Sequence, residues 1–204
     1  RAPAKLIVEA RFQLGKAQLA AGQPAQARRT WQDFLTSDAA KEAGGGLLAG
    51  GTYRIAHTYG LPTPGSAGDL ELGVAALEVF LKKFPEHKLA PQAEYEIAQA
   101  YIHLGRYAPA IERLKSLIGN AAYAKSGVLP EARKLLGQSY FAQRKFAEAI
   151  AAWKEFLEKH PTSSSWSDVQ RLVIDAEYQT AEEQYQEQNY DKARELWATF
   201  LNKY

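Results

Sequence analysis

The chain has 204 residues, 46% of them hydrophobic and 24% charged, and 25 basic against 23 acidic side chains leave a net charge of +2. So small a surplus over this length makes no basic stripe, which sets aside a dedicated nucleic-acid or membrane-surface binder. Cysteine is absent, which excludes disulfides, zinc–thiolate sites and thiol chemistry and is compatible with cytoplasm or periplasm, and no apolar run is long enough to span a bilayer.

In chain order, the apolar pattern predicts ten helices, at about 3–21, 24–42, 47–60, 69–84, 88–104, 107–119, 127–143, 146–160, 166–188 and 190–204. One pattern recurs among them. Gly73-Val-Ala-Ala-Leu-Glu-Val-Phe-Leu-Lys-Lys-Phe-Pro85 and Ala149-Ile-Ala-Ala-Trp-Lys-Glu-Phe-Leu-Glu-Lys-His-Pro161 both read small, x3, large, x2, Phe-Leu, x3, Pro. Further copies are Ala27…Trp31…Phe34-Leu35, Ala110…Leu114…Leu117-Ile118 and Ala193…Trp197…Phe200-Leu201. Large residues at i, i+3 and i+4 form one amphipathic stripe.

A second helical pattern precedes each copy. Its small anchor is Gly15, Ala98, Gly137 or Ala181, 12 positions ahead, and Ala56 stands 17 ahead of Gly73 because five residues are inserted. An apolar neighbour precedes most anchors (Leu14, Ile55, Ile97, Leu136), with Thr180 the exception. Glycine is expected to mark the turn at Gly22, Gly68 and Gly105. Small residues let two antiparallel backbones approach while large ones fill the flanks, and Pro85 and Pro161 stop the helices before them.

Paired helices carrying Leu14-Gly15, Ala27, Trp31 and Phe34, or Leu136-Gly137, Tyr140, Ala149, Trp153, Phe156 and Pro161, resemble the tetratricopeptide repeat. Five units in register cover the chain. The resemblance implies an all-α, right-handed superhelical solenoid of about five helix pairs in one domain over residues 1–204. Steps of 46, 37, 39 and 44 between the aligned small residues exceed the usual step of about 34. The long version is similar to repeats of bacterial cell-envelope proteins of the outer-membrane assembly lipoprotein and Tol-Pal coordinator type, which implies the periplasm or envelope.

Catalytic and cofactor motifs are weak. Gly45 to Thr52 nearly spells a phosphate loop, but Gly51 stands where its lysine is required, so the stretch reads as a flexible turn. His57, His87, His103 and His160 have no metal-ligand spacing, and His87 and His160 read as solvated helix ends. Glu182 and Glu183 point about 100° apart on a helix and cannot share a proton. The expectation is therefore no enzyme, no metal, no cofactor and no small-molecule substrate.

The resemblance implies that the first helix of each unit lines a concave groove. The positions three before each anchor are Phe12, Tyr53, Tyr95, Lys134 and Tyr178, and those one after are Lys16, His57, Gln99, Gln138 and Glu182. These ten form the candidate surface for a protein or peptide partner; the competing reading packs the rings between neighbouring helices. The Lys/Asn/Arg clamp of chaperone-binding repeats is absent, with Phe12, Tyr95 and Gln92 near its places. Leu61–Gly68 reads as a Pro/Gly-rich insertion loop, and Trp166 as a staple for the last helix pair.

The expected function is a non-catalytic interaction scaffold in envelope assembly, the alternative a spacer or docking segment of a larger protein. Because the chain opens at Arg1-Ala2-Pro3, holds no methionine and stops one residue short of the counterpart of Pro161, it reads as a piece of a longer chain. Its last helix is expected to offer Trp197, Phe200 and Leu201 to a following element, a second copy or solvent.

Overall fold

Each segment with large side chains at i, i+3 and i+4 has one face to bury, and each forms a helix. The computed structural model describes residues 4–38, 40 and 44–204. Among the described residues there are ten α-helices and no strand: α1 (Ala4–Ala20), α2 (Pro24–Thr36), α3 (Gly44–His57), α4 (Ala67–Lys83), α5 (Ala90–His103), α6 (Tyr107–Gly119), α7 (Leu129–Ala142), α8 (Phe146–Lys159), α9 (Trp166–Gln186) and α10 (Tyr190–Lys203).

Local chemistry sets the ends. Pro24, Pro91 and Pro130 stand in the first turns of α2, α5 and α7, where a missing N–H costs nothing. Ser66 caps α4, its Oγ accepting from the Asp69 N–H at 3.1 Å, so α4 starts two residues earlier than the pattern predicts. Phe84 and His160 close α4 and α8 immediately before Pro85 and Pro161. The turn between paired helices needs a left-handed residue seven positions after the anchor, filled by Gly22, Gly105, Arg144 and Gln188 with φ between 59° and 72°. In the second pair Gly60 takes this role at φ 85°. Gly68, expected at the turn, lies instead in the first turn of α4.

Two further expectations are corrected. The second helix, expected to reach 42, ends at Thr36: Ser37 is extended, and its N–H and Oγ both donate to the Phe34 carbonyl at 3.2 and 2.7 Å. Residues 39 and 41–43 lie outside the described residues. The glycine-rich stretch Gly45–Thr52 is helical rather than a flexible turn. A Cβ on Gly50 would lie 3.2 Å from the Phe12 ring, and one on Gly51 would lie 3.4 Å from Phe34. Close packing against two rings thus keeps these glycines in a helix despite their low propensity.

The chain divides into two compact units, Arg1–Arg106 and Tyr107–Tyr204. In the first, each of α1 to α4 packs on the helix that follows it; in the second, each of α6 to α9 does so. The small residues sit where the register places them: Ala27 and Gly73 in the first unit and Ala110, Ala149 and Ala193 in the second are all buried, as are the five anchors. Two anchors are glycine for a visible reason. The Trp31 indole lies over Gly15 and the Trp153 indole over Gly137, so a Cβ at either would fall within 3 Å of the ring. Each indole N–H then reaches the carbonyl three residues before its anchor, Phe12 at 3.2 Å and Lys134 at 3.0 Å. In the last pair the anchor is Ala181, and the Trp197 Nε1 is buried without a partner.

The insertion loop also packs: Leu61 is buried, and a Cβ on Gly73 would collide with its side chain. Trp166 is half-buried and donates from Nε1 to the Leu157 carbonyl at 3.2 Å, tying the start of α9 to the end of α8. His87 and His160 are not simply solvated. The first sets its ring 5.7 Å from Phe80, and the second lies 5.4 Å from Phe156 with Nε2 3.3 Å from the Arg133 guanidinium.

Candidate interaction surface

The ten residues of the candidate surface take different environments. In the first unit, Phe12 is half-buried between Trp31 and the Arg54 guanidinium, which stands 5.9 Å from its ring. Lys16 is exposed, and Tyr95 and Gln99 are half-buried. Tyr53, expected to line an open groove, is buried at 8% exposure. Its hydroxyl donates to Glu96 Oε1 at 2.5 Å, and its ring packs edge-on against Phe80. His57 stacks 4.8 Å from Tyr53 and sets Nε2 3.2 Å from Glu96 Oε2.

Glu96 completes a polar clasp between α3 and α5 that the sequence pattern missed. It receives Tyr53, His57 and, at 3.0 Å, the Gln92 amide. Burial pushes its carboxyl up, but hydrogen bonds from His57, Tyr53 and Gln92, together with the charge of His57, outweigh this and hold it below the usual range. Burial, reinforced by the adjacent carboxylate, pushes the Tyr53 phenol far up, so it stays a donor. The available signal was a carboxylate flanked by Ala93, Ile97 and Ala100, all buried. A buried carboxylate needs such partners, but the register alone does not say which residues supply them.

In the second unit, Lys134 is half-buried, its Nζ 3.4 Å from Ser165 Oγ and 3.9 Å from Glu131. Gln138 is exposed. Tyr178 is 43% exposed, its ring in a T-shaped contact with Phe200 at 6.1 Å between centroids. Glu182 is half-buried and accepts from the Gln186 amide at 2.8 Å. Each unit thus presents polar and aromatic groups able to hydrogen-bond and stack. Among the described residues no group of three or more His, Asp or Glu could hold a metal, and no helix is long and apolar enough to cross a membrane.

Successive helix pairs with small residues at the crossings and a left-handed turn seven residues after the anchor define a helical-repeat protein. Tetratricopeptide repeat models match residues 9–39, 65–126 and 131–163, more than half of the chain, and the chain belongs to the tetratricopeptide repeat family. Repeats of this family serve generally as protein-interaction scaffolds and are typically non-catalytic. No curated protein sequence matches the chain. Among solved structures, BtubC from P. vanneervenii is similar at 16% identity and TM-score 0.64, covering 98% of this chain and 83% of that one. A putative kinesin light chain with nearly identical TPR-like repeats from Podosopora anserina gives 16% and 0.56, covering 99% and 96%. MamA from Desulfovibrio magneticus RS-1 gives 16% and 0.53, covering 96% and 93%. At such identities the likeness concerns the fold.

Proposed function

We propose that this chain is a scaffold that binds a partner protein or peptide through the first helices of its repeats, in assembly of a bacterial cell envelope and on its periplasmic side. The observation that carries the binding role is the open state of Tyr178 and Gln138 on first helices whose other faces are packed. An accessible ring and an accessible amide on successive first helices suit an extended peptide, which offers apolar side chains and backbone groups together. The envelope role is supported by the long repeat step, similar to that of envelope repeat proteins.

A photo-crosslinking residue at Tyr178 or Gln138 should capture a discrete partner in native extract, whereas the same residue at Glu158, exposed on the second helix α8, should not. Equal capture at all three positions, or none at any, overturns the groove reading; none would favour a spacer or docking segment. Fractionation of the source cells tests the compartment, and recovery with cytosolic markers alone overturns the envelope assignment.

A further inference from the structure

Inside the second unit, the end of α6, the segment leading into α7 and the end of α8 enclose a cavity of about 310 Å³. Its chemistry is one-sided. Arg133, Lys159, His160 and Asn120 stand on its wall, and among the described residues no acidic side chain does. None of these four belongs to the candidate surface on the first helices.

Arg133 is 7% exposed. The equivalent position, four before the anchor, holds Arg11, Thr52, Glu94 and Glu177 in the other repeats, and Arg11 is exposed. The repeat pattern therefore does not call for a buried guanidinium there. Arg133 Nε donates to Glu155 Oε1 at 3.3 Å, and Nη1 donates to His160 Nε2 at 3.3 Å. These contacts engage two of the five N–H donors of a guanidinium. Glu155 Oε1 also accepts from Lys159 Nζ at 2.8 Å. One carboxylate, itself outside the cavity wall, thus serves two permanent cations, and a buried charge without full compensation is costly.

The two neutral groups on the wall are also set as donors. A guanidinium can only donate, so His160 Nε2 accepts and the ring proton sits on Nδ1. Burial, then the charges of Arg133 and Lys159, push the His160 pKa below the ordinary histidine value against the pull of Glu155, which keeps the ring neutral. Asn120 Oδ1 accepts from the Ala122 N–H at 3.0 Å, which leaves its amide NH2 to donate.

We propose that this cavity binds a phosphate group, free or borne on an ester, with Arg133 and Lys159 supplying charge and His160 and Asn120 supplying neutral hydrogen bonds. Donors from separate segments suit a tetrahedral oxyanion, which accepts in several directions. A planar carboxylate is already satisfied by one guanidinium fork.

Calorimetric titration of the 204-residue chain at fixed ionic strength should show saturable one-to-one binding of inorganic phosphate, O-phosphoserine or both. The tighter ligand tells whether the site takes the free anion or an ester. In NMR spectra the His160 ring should shift on binding, while the rings of His57 and His103 should not. Lys159→Gln should raise Kd about two- to fivefold. Asn120→Asp keeps the acceptor for the Ala122 N–H and puts a negative charge on the wall, so binding should be lost. Both side chains are exposed, and both variants should keep the wild-type thermal melt. Lys154→Gln makes the same charge change on α8 away from the cavity and should bind as wild type does. Failure of both phosphate ligands to bind overturns the proposal. So does acetate binding as tightly, or equal weakening by Lys154→Gln and Lys159→Gln, since either result would mean general charge attraction.

Discussion

At the scale of single residues, shape and helix propensity oppose each other at Gly137. Alanine is the better helix former by about 1 kcal/mol, but its Cβ would collide with the Trp153 indole. Overpacking a filled core typically costs about 1–3 kcal/mol, so Gly137→Ala should lower the melting temperature; an unchanged or raised one would show that the indole moves aside freely. Glu96 sets the second residue-scale prediction. Its carboxyl is held below the usual value of 4.5 in the folded chain. Its stabilising contribution is therefore fully present above that value and lost as pH falls through the folded one. Glu96→Gln should flatten the acid limb of the stability curve relative to wild type, as read by denaturant melts between neutral and acid pH. Parallel curves would mean that the Tyr53–His57–Glu96 clasp carries no charge-dependent stability.

At the scale of elements, caps and crossings are the testable joints. Ser66→Ala removes the acceptor for the Asp69 N–H and should cost about 0.5–2 kcal/mol, whereas alanine at the exposed, uncapped Ser167 should cost much less. Ala149→Leu should overpack its crossing by about 1–3 kcal/mol; an unchanged melt would contradict the repeat register. These joints were the part of the fold most legible in the sequence, because small anchors, proline stops and the Phe-Leu pairs each follow from one local requirement. What local pattern could not show was tertiary. Gly50 and Gly51 read as a turn until the rings of Phe12 and Phe34 are placed against them. Tyr53 read as a groove residue because the register assigns faces without saying that Glu96 would draw its hydroxyl inward. Arg144 and Gln188 carry left-handed turns without the glycine that made Gly22 and Gly105 readable.

At the scale of the whole molecule, a chain of helices that pack mainly on their neighbours has no single core, so stability varies along it. Helix α10 buries one side chain, Ala193, while α8 buries five. In dilute solution, backbone amides of α10 should exchange with deuterium faster than those of α8, as mass spectrometry of peptic fragments can measure. Equal protection would mean that the second unit opens as one block.

The fit of each indole over its anchor bears on how such repeats drift apart. The second repeat holds Ala56 and Leu77 at the positions where the fourth holds Gly137 and Trp153, and all four are buried. Moving from one pair to the other by single steps passes through a clash, Ala with Trp, or a void, Gly with Leu. Neither intermediate is neutral, so the two sites are epistatic, and Gly137→Ala with Trp153→Leu should cost less than the two separate losses added together. The fifth repeat holds Ala181 and Trp197 at these two positions, and there the indole N–H has no partner.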